Sequence, residues 1–162
     1  MLTLGIDPGT AITGYGIISE NGNKFSLVEC GCINTAKTDA KEVRLKTIYS
    51  SLKDLINKFQ PKSIAVEELF FSTNTKTAIS VGEARGVILL ACAQSGIPIA
   101  SYTPLQVKQA ITGYGRAEKS QIQQMVKTLL NLNKIPKPDD IADALAIAIC
   151  HANSRRFKEK IN

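Results

Sequence analysis

The sequence predicts an α/β fold: a mixed five-stranded sheet, three antiparallel strands followed by parallel crossovers, with helices on both faces. Two observations carry this. A tight Asn21-Gly22 turn joins two of three successive strand-like runs, and every later strand-like run is reached through an amphipathic helical segment. Residues 2–7 form the first strand, closed by Pro8-Gly9, and the proline holds Asp7 extended. Residues 13–19 and 25–33 are the second and third strands. Asp39 can cap a long helix in which Val43, Ile48, Leu52, Leu55, Ile56 and Phe59 lie near one stripe, and Pro61 ends it. A short strand spans 63–67, entered from that helix as a parallel strand would be. After a loop over 70–75, a helix spans 76–95, a strand 97–102 and a helix 104–111, broken by Gly113-Tyr114-Gly115-Arg116. Residues 117–130 are an amphipathic helix, and the last helix covers 140–152. The expected organisation is one domain over 1–152 and a basic C-terminal tail over 153–162.

A chain of 162 residues buries roughly 70% of its unfolded surface and needs no disulfide or metal staple. With 44% hydrophobic and 21% charged residues it is an ordinary globular sequence, which excludes disorder of the whole chain. No apolar run reaches the ~18 residues of a membrane span. The first ten residues have neither a basic segment nor an apolar stretch of signal-peptide type, so a cytoplasmic place is expected and no membrane. Cys30, Cys32, Cys92 and Cys150 lack zinc spacing with the single His151 and read as buried free thiols. The net charge is +6, and the first 40 residues are net acidic while the remainder is net basic. That suits a polyanionic partner such as nucleic acid, although solubility alone also accommodates it.

Three of the six aspartates fall within 139–143. Asp7 ends the first strand, Glu67 ends the fourth, and Asp140 and Asp143 share one face of the last helix's first turn. Asp139 is better placed as that helix's cap. Strand alternation puts Thr3 and Gly5 on the face of Asp7, and Ala65 on the face of Glu67. A small-residue sheet face lets the alanine-rich last helix approach closely and would gather the four carboxylates. Neighbouring strands lie about 4.8 Å apart, so two strand-end carboxylates can reach one ion. Four gathered acids need a cation to stay ionised, and hard oxygen ligands favour Mg²⁺ or Mn²⁺. Two such ions about 3.5–4 Å apart are a common device for phosphodiester cleavage. The alternatives remain open at this level: Asp140 and Asp143 can simply favour a helix N-terminus, and Asp7 can merely set the Pro-Gly turn.

The motifs GIDPGT at 5–10, TGYG at 13–16, AVEELFFSTN at 65–74, GEARGV at 82–87, QVKQAITGYGRAEKSQIQ at 106–123 and DDIADALAIAICH at 139–151 occur in this order. On them the chain resembles the RuvC crossover-junction endodeoxyribonucleases, Holliday-junction resolvases of RNase H-like fold. The resemblance implies a structure-selective endonuclease that nicks four-way DNA junctions symmetrically, leaving 5′-phosphate and 3′-hydroxyl ends. It implies that Asp7, Glu67, Asp140 and Asp143 are the metal-binding catalytic acids, with two Mg²⁺ per site, replaceable by Mn²⁺, and Asp7 shared between them. The third acid is an aspartate in some members and a histidine in others; here it is Asp140. Lys108 and Lys119 match basic residues that face DNA near the scissile phosphate, and Phe70 matches an aromatic that stacks on a base of the opened junction. Glu68, beside the matched acid, reads as structural. The resemblance also implies a homodimer and the RuvA and RuvB branch-migration proteins as partners.

Residue pattern supports the dimer. The helix over 76–95 is apolar almost all round, with Gly82 and Gly86 one turn apart, so it is either a central core helix or covered by a partner. Other classes share some of these features. A junction-binding module would ignore Mg²⁺, and a related RNase H-like nuclease would cut duplex or RNA–DNA hybrid. Asp7-x-Gly9-Thr10 also looks like the phosphate-binding hairpin of actin-like ATPases, but the chain has residues for only one lobe of that fold.

Overall fold

Alternation along β1 (Leu2–Asp7) sends Leu4 and Ile6 to one face of a sheet and Thr3 and Gly5 to the other. The computed structural model describes residues 1–69 and 75–161. Strands β2 (Ile12–Asn21) and β3 (Lys24–Asn34) complete an antiparallel meander with β1. Helix α1 (Lys41–Phe59) leads to β4 (Ser63–Glu67), which pairs parallel with β1; helix α2 (Thr75–Gln94) leads to β5 (Ile99–Tyr102), parallel to β4. The sheet order is β3-β2-β1-β4-β5, the mixed five-stranded arrangement expected. Helices α3 (Pro104–Thr112), α4 (Lys119–Leu129) and α5 (Asp139–Ile161) follow.

The core has two halves, one on each face. Leu4, Ile6, Ile17, Ile64 and Val66 pack with α1 and α2 through Ile48, Leu52 and Ile88. On the other face α5 lies across β1 and β2 with Leu145, Ile147 and Ile149, covered by Val107, Ile122 and Val126 of α3 and α4. The close approach of α5 is written into three glycines. A Cβ at Gly5 would stand 2.1 Å from the Ala144 carbonyl, one at Gly14 2.1 Å from that of Asp140, and one at Gly16 2.5 Å from the Leu145 side chain. Any side chain there forces the helix off the sheet.

Element ends differ from expectation where local chemistry overrides pattern. The α1 cap is Ala40, with no side-chain hydrogen bond, one residue beyond Asp39. Strand β5 starts at Ile99 because Pro98 has no N–H for the ladder; its carbonyl accepts from Ile64 N at 2.9 Å. Helix α4 starts at Lys119, fixed by a reciprocal capping box between Glu118 and Gln121. Asp139 is the first helical residue of α5 rather than its cap, and its carboxylate faces Lys137 at 2.7 Å. Residues 153–161, expected as a basic tail, are the last turns of α5. Arg155 and Arg156 reach Glu20 of β2 at 2.6 and 3.4 Å, and Glu20 also accepts from Thr3.

Helix α2 is buried on one side only. Ala84, Ile88, Ala91 and Cys92 face the sheet, whereas Ile79 and Leu90 are 64% and 53% exposed, and a Cβ at Gly86 would meet nothing within 4 Å. Among the described residues no helix is long and apolar enough to cross a membrane.

Candidate active site

Three elements deliver four carboxylates to one end of the sheet. The parallel register pairs Gly5 with Ala65 and Ile6 with Val66, so Asp7 and Glu67 emerge side by side where β1 and β4 end. Asp7 pairs across β1 and β2 with Gly14, whose missing side chain admits the Asp140 backbone. The first turn of α5 therefore descends beside Asp7, and Asp140 and Asp143, three residues apart, accompany it. All four residues predicted as catalytic acids are thus brought together, each half-buried.

The electrostatics record their crowding. Burial, then the charges of Glu67, Asp143 and Asp140, push the Asp7 carboxyl up to about 8. Burial and then Asp143 raise Glu67 to about 7, against a hydrogen bond from Asp7 and the charge of Lys119. Asp143 is also raised, chiefly by burial, and Lys119 opposes that shift. Burial and mutual repulsion thus work against two full charges on Asp7 and Glu67 when no cation is bound.

Lys119 reaches the edge of the cluster: its Nζ lies 3.2 Å from Asp143 Oδ2 and 3.4 Å from Asp139 Oδ2. Partial burial works against its charge, but the two aspartates hold its pKa above the ordinary value. Lys108 lines the same cleft of about 220 Å³ with Glu67, Lys119 and Asp143. On the other side a cleft of about 600 Å³ runs from Asp140 past Gly9 and Thr10 to Lys37 and Arg44.

The donor set suits a hard divalent cation: four carboxylates from three elements, with more negative charge than the site holds without a proton. Among the described residues no three acidic, histidine or cysteine side chains stand in a ready metal-holding arrangement. The Lys119 ammonium engages Asp143 from the side of the cluster. The fit is therefore one of donor chemistry and placement.

Sequence reasoning passed over the residues that hold these acids in position. Arg85 of α2 donates from Nε to the Glu67 carbonyl at 2.9 Å and from Nη2 to Ser101 Oγ at 3.0 Å, tying α2 to the ends of β4 and β5. Thr10 Oγ1 meets Ser80 Oγ at 2.7 Å and fixes the turn after Asp7 to α2. Arg85 lies inside GEARGV and Gly14 inside TGYG, so the signal was present without its geometry. Glu68 is exposed, and its N–H donates to the Tyr102 carbonyl at 2.8 Å, a backbone role that continues the β4–β5 ladder. Phe70 lies outside the described residues.

The family model described as crossover junction endodeoxyribonuclease RuvC matches residues 3–151. A crossover junction endodeoxyribonuclease RuvC from Pelotomaculum thermopropionicum is 56% identical over 161 residues, covering 99% of this chain and 98% of the relative. The Thermus thermophilus RuvC structure superposes with a TM-score of 0.90 at 35% identity, covering 98% of this chain and 97% of its own. The T. thermophilus RuvC in complex with Holliday junction substrate superposes with a TM-score of 0.89 at 34% identity, over 97% of this chain and 96% of that one.

Proposed function

The chain belongs to the RuvC family of crossover junction endodeoxyribonucleases, metal-dependent nucleases that resolve Holliday junctions, and we propose that Asp7, Glu67, Asp140 and Asp143 are its catalytic, metal-holding acids. The single observation that carries this reading is the convergence of four half-buried carboxylates from β1, β4 and α5 at one end of the sheet, a crowding that a divalent cation would relieve. Mg²⁺ is the ion of choice for all-oxygen donors, two per site, with Mn²⁺ able to substitute. When bound, such ions activate water and stabilise the departing oxygen.

Water attacks the phosphorus and the bond to the 3′ oxygen breaks, leaving a 3′-hydroxyl and a 5′-phosphate. The chain's own residues prepare this reaction. Gly14 seats α5 so that Asp140 and Asp143 face the strand-end acids. Lys119 holds Asp143 in the free protein and, with Lys108, offers countercharge to the phosphates around the scissile one. Phe70 is the candidate for stacking on a base of the opened junction, a contact worth ~1–3 kcal/mol.

Symmetric nicking needs two sites, and the uncovered apolar stripe of α2 supports a homodimer. The chain acts as one nuclease domain, in the cytoplasm, with the RuvA and RuvB branch-migration proteins as partners implied by family membership. A nicking assay on a synthetic four-way junction, a linear duplex and an RNA–DNA hybrid tests the substrate. Paired Mg²⁺-dependent cuts confined to the junction are expected. Binding without cutting, or preferred cutting of hybrid or duplex, would overturn the reading.

A further inference from the structure

The acids are flanked by basic residues on two sides, and the family motifs account for only one. Lys108 and Lys119 share a cleft with Glu67 and Asp143. The cleft that opens from Asp140 leads to Lys37, in the loop between β3 and α1, and to Arg44, in the first turn of α1. Arg44 is half-buried and held: its Nε donates to Thr35 Oγ1 at 2.9 Å, and Thr35 Oγ1 donates in turn to the Thr10 carbonyl, in the turn that follows Asp7. That bond uses Nε alone, and Arg44 lines the cleft with no ion pair among the described residues. Lys41, one turn earlier, is different, because its ammonium is already paired with Glu83 at 3.2 Å.

We propose that Lys37 and Arg44 form a second phosphate seat, gripping a non-scissile phosphate of the DNA backbone on the Asp140 side of the catalytic acids. The inference rests on the junction-nuclease reading and deepens it. A backbone whose scissile phosphate lies over the carboxylates must pass a strongly acidic site, and countercharge on one side alone would leave the other end of the strand repelled. With both clefts basic, the strand is held on either side of the acids. An oriented guanidinium fork matches two phosphate oxygens at once, and the Thr35–Thr10 link ties that grip to the turn carrying Asp7. Lys37 adds a second charge from the loop before α1.

The test is the salt dependence of binding to a synthetic four-way junction in chelator, where no cutting occurs. Proteins compared are the unmodified chain, Arg44→Gln, Lys37→Gln and Lys62→Gln, the last an exposed lysine at the opposite end of the sheet that matches the charge change. The slope of log affinity against log salt should become shallower by about 1 for Arg44→Gln and for Lys37→Gln, and stay unchanged for Lys62→Gln. Unchanged slopes in both cleft variants, or an equal loss in Lys62→Gln, would overturn the proposal. If Arg44→Gln fails to fold, the exposed Lys37→Gln decides alone, and an unchanged slope there overturns it. Failure of the unmodified chain to prefer the junction over duplex would instead overturn the underlying reading of function.

Discussion

Burial and the neighbouring carboxylates push the Asp7 carboxyl up to about 8, from an ordinary value near 4. The sign of its effect on stability follows directly. A carboxyl whose pKa is raised on folding contributes stability that is complete below about pH 4 and lost as pH rises through about 8. Without divalent cation the protein should therefore melt at progressively lower temperature across that window. Asp7→Asn, which cannot ionise, should melt several degrees above the unmodified protein at pH 8 in chelator, each kcal/mol regained being worth about 2–4 °C. Adding Mg²⁺ should raise the melting temperature of the unmodified chain more than that of the variant. Thermal melts at pH 5 and pH 8, with and without the ion, check both statements, and equal melting of the two proteins at pH 8 in chelator would contradict them. Gly14 acts at the same scale through the atoms it lacks: Gly14→Ala should displace the first turn of α5, since its Cβ would stand 2.1 Å from the Asp140 carbonyl. A loss of ~1–3 kcal/mol in chemical denaturation is expected, the usual cost of overpacking.

Helix α2 serves the site and the surface at once. Its inward face carries Arg85, whose bonds to the Glu67 carbonyl and Ser101 join the helix to the ends of β4 and β5. Arg85→Gln should raise the Mg²⁺ concentration for half-maximal cutting by ~10-fold, the scale on which groups behind metal ligands act. Junction binding in chelator should stay the same, and Arg85→Lys should recover part of the loss. An unchanged Mg²⁺ requirement would reduce Arg85 to a packing role. The outward face, with Ile79, Gly86 and Leu90, is apolar and open. Leu90→Asp should halve the mass seen by light scattering at micromolar concentration; a monomer before substitution would remove the dimer from the account. The elements themselves were legible in sequence because hairpin turns, helical stripes and the Pro61 stop are local signals. Some of their ends were not, because Glu118 and Asp139 answer to Gln121 and Lys137, partners that pattern does not reveal.

Across the whole molecule, the placement of the four acids was legible because strand alternation and i, i+3 spacing are short-range rules. What gathers them is long-range. The close approach of α5 over Gly5 was legible in the small-residue face of β1, whereas the part of Gly14 and Gly16 under α5 and the Arg85 tie were not, because spacing does not encode them. The same holds for Glu20, which anchors the end of α5 through Arg155 and Arg156 and turns an expected tail into a helix packed on the sheet. Charge is laid out at this scale too, with a carboxylate cluster between clefts bearing Lys108 and Lys119 on one side and Lys37 and Arg44 on the other. On the proposed function, this cluster cuts junction DNA with the help of divalent cations. Its most direct test is single-turnover cleavage of a four-way junction in Mg²⁺ by the unmodified chain and by Asp7→Asn, with junction binding measured on the same samples. Paired cuts by the unmodified chain are expected, with junction binding but no cleavage by the variant. Cleavage by Asp7→Asn at the unmodified rate would contradict that reading.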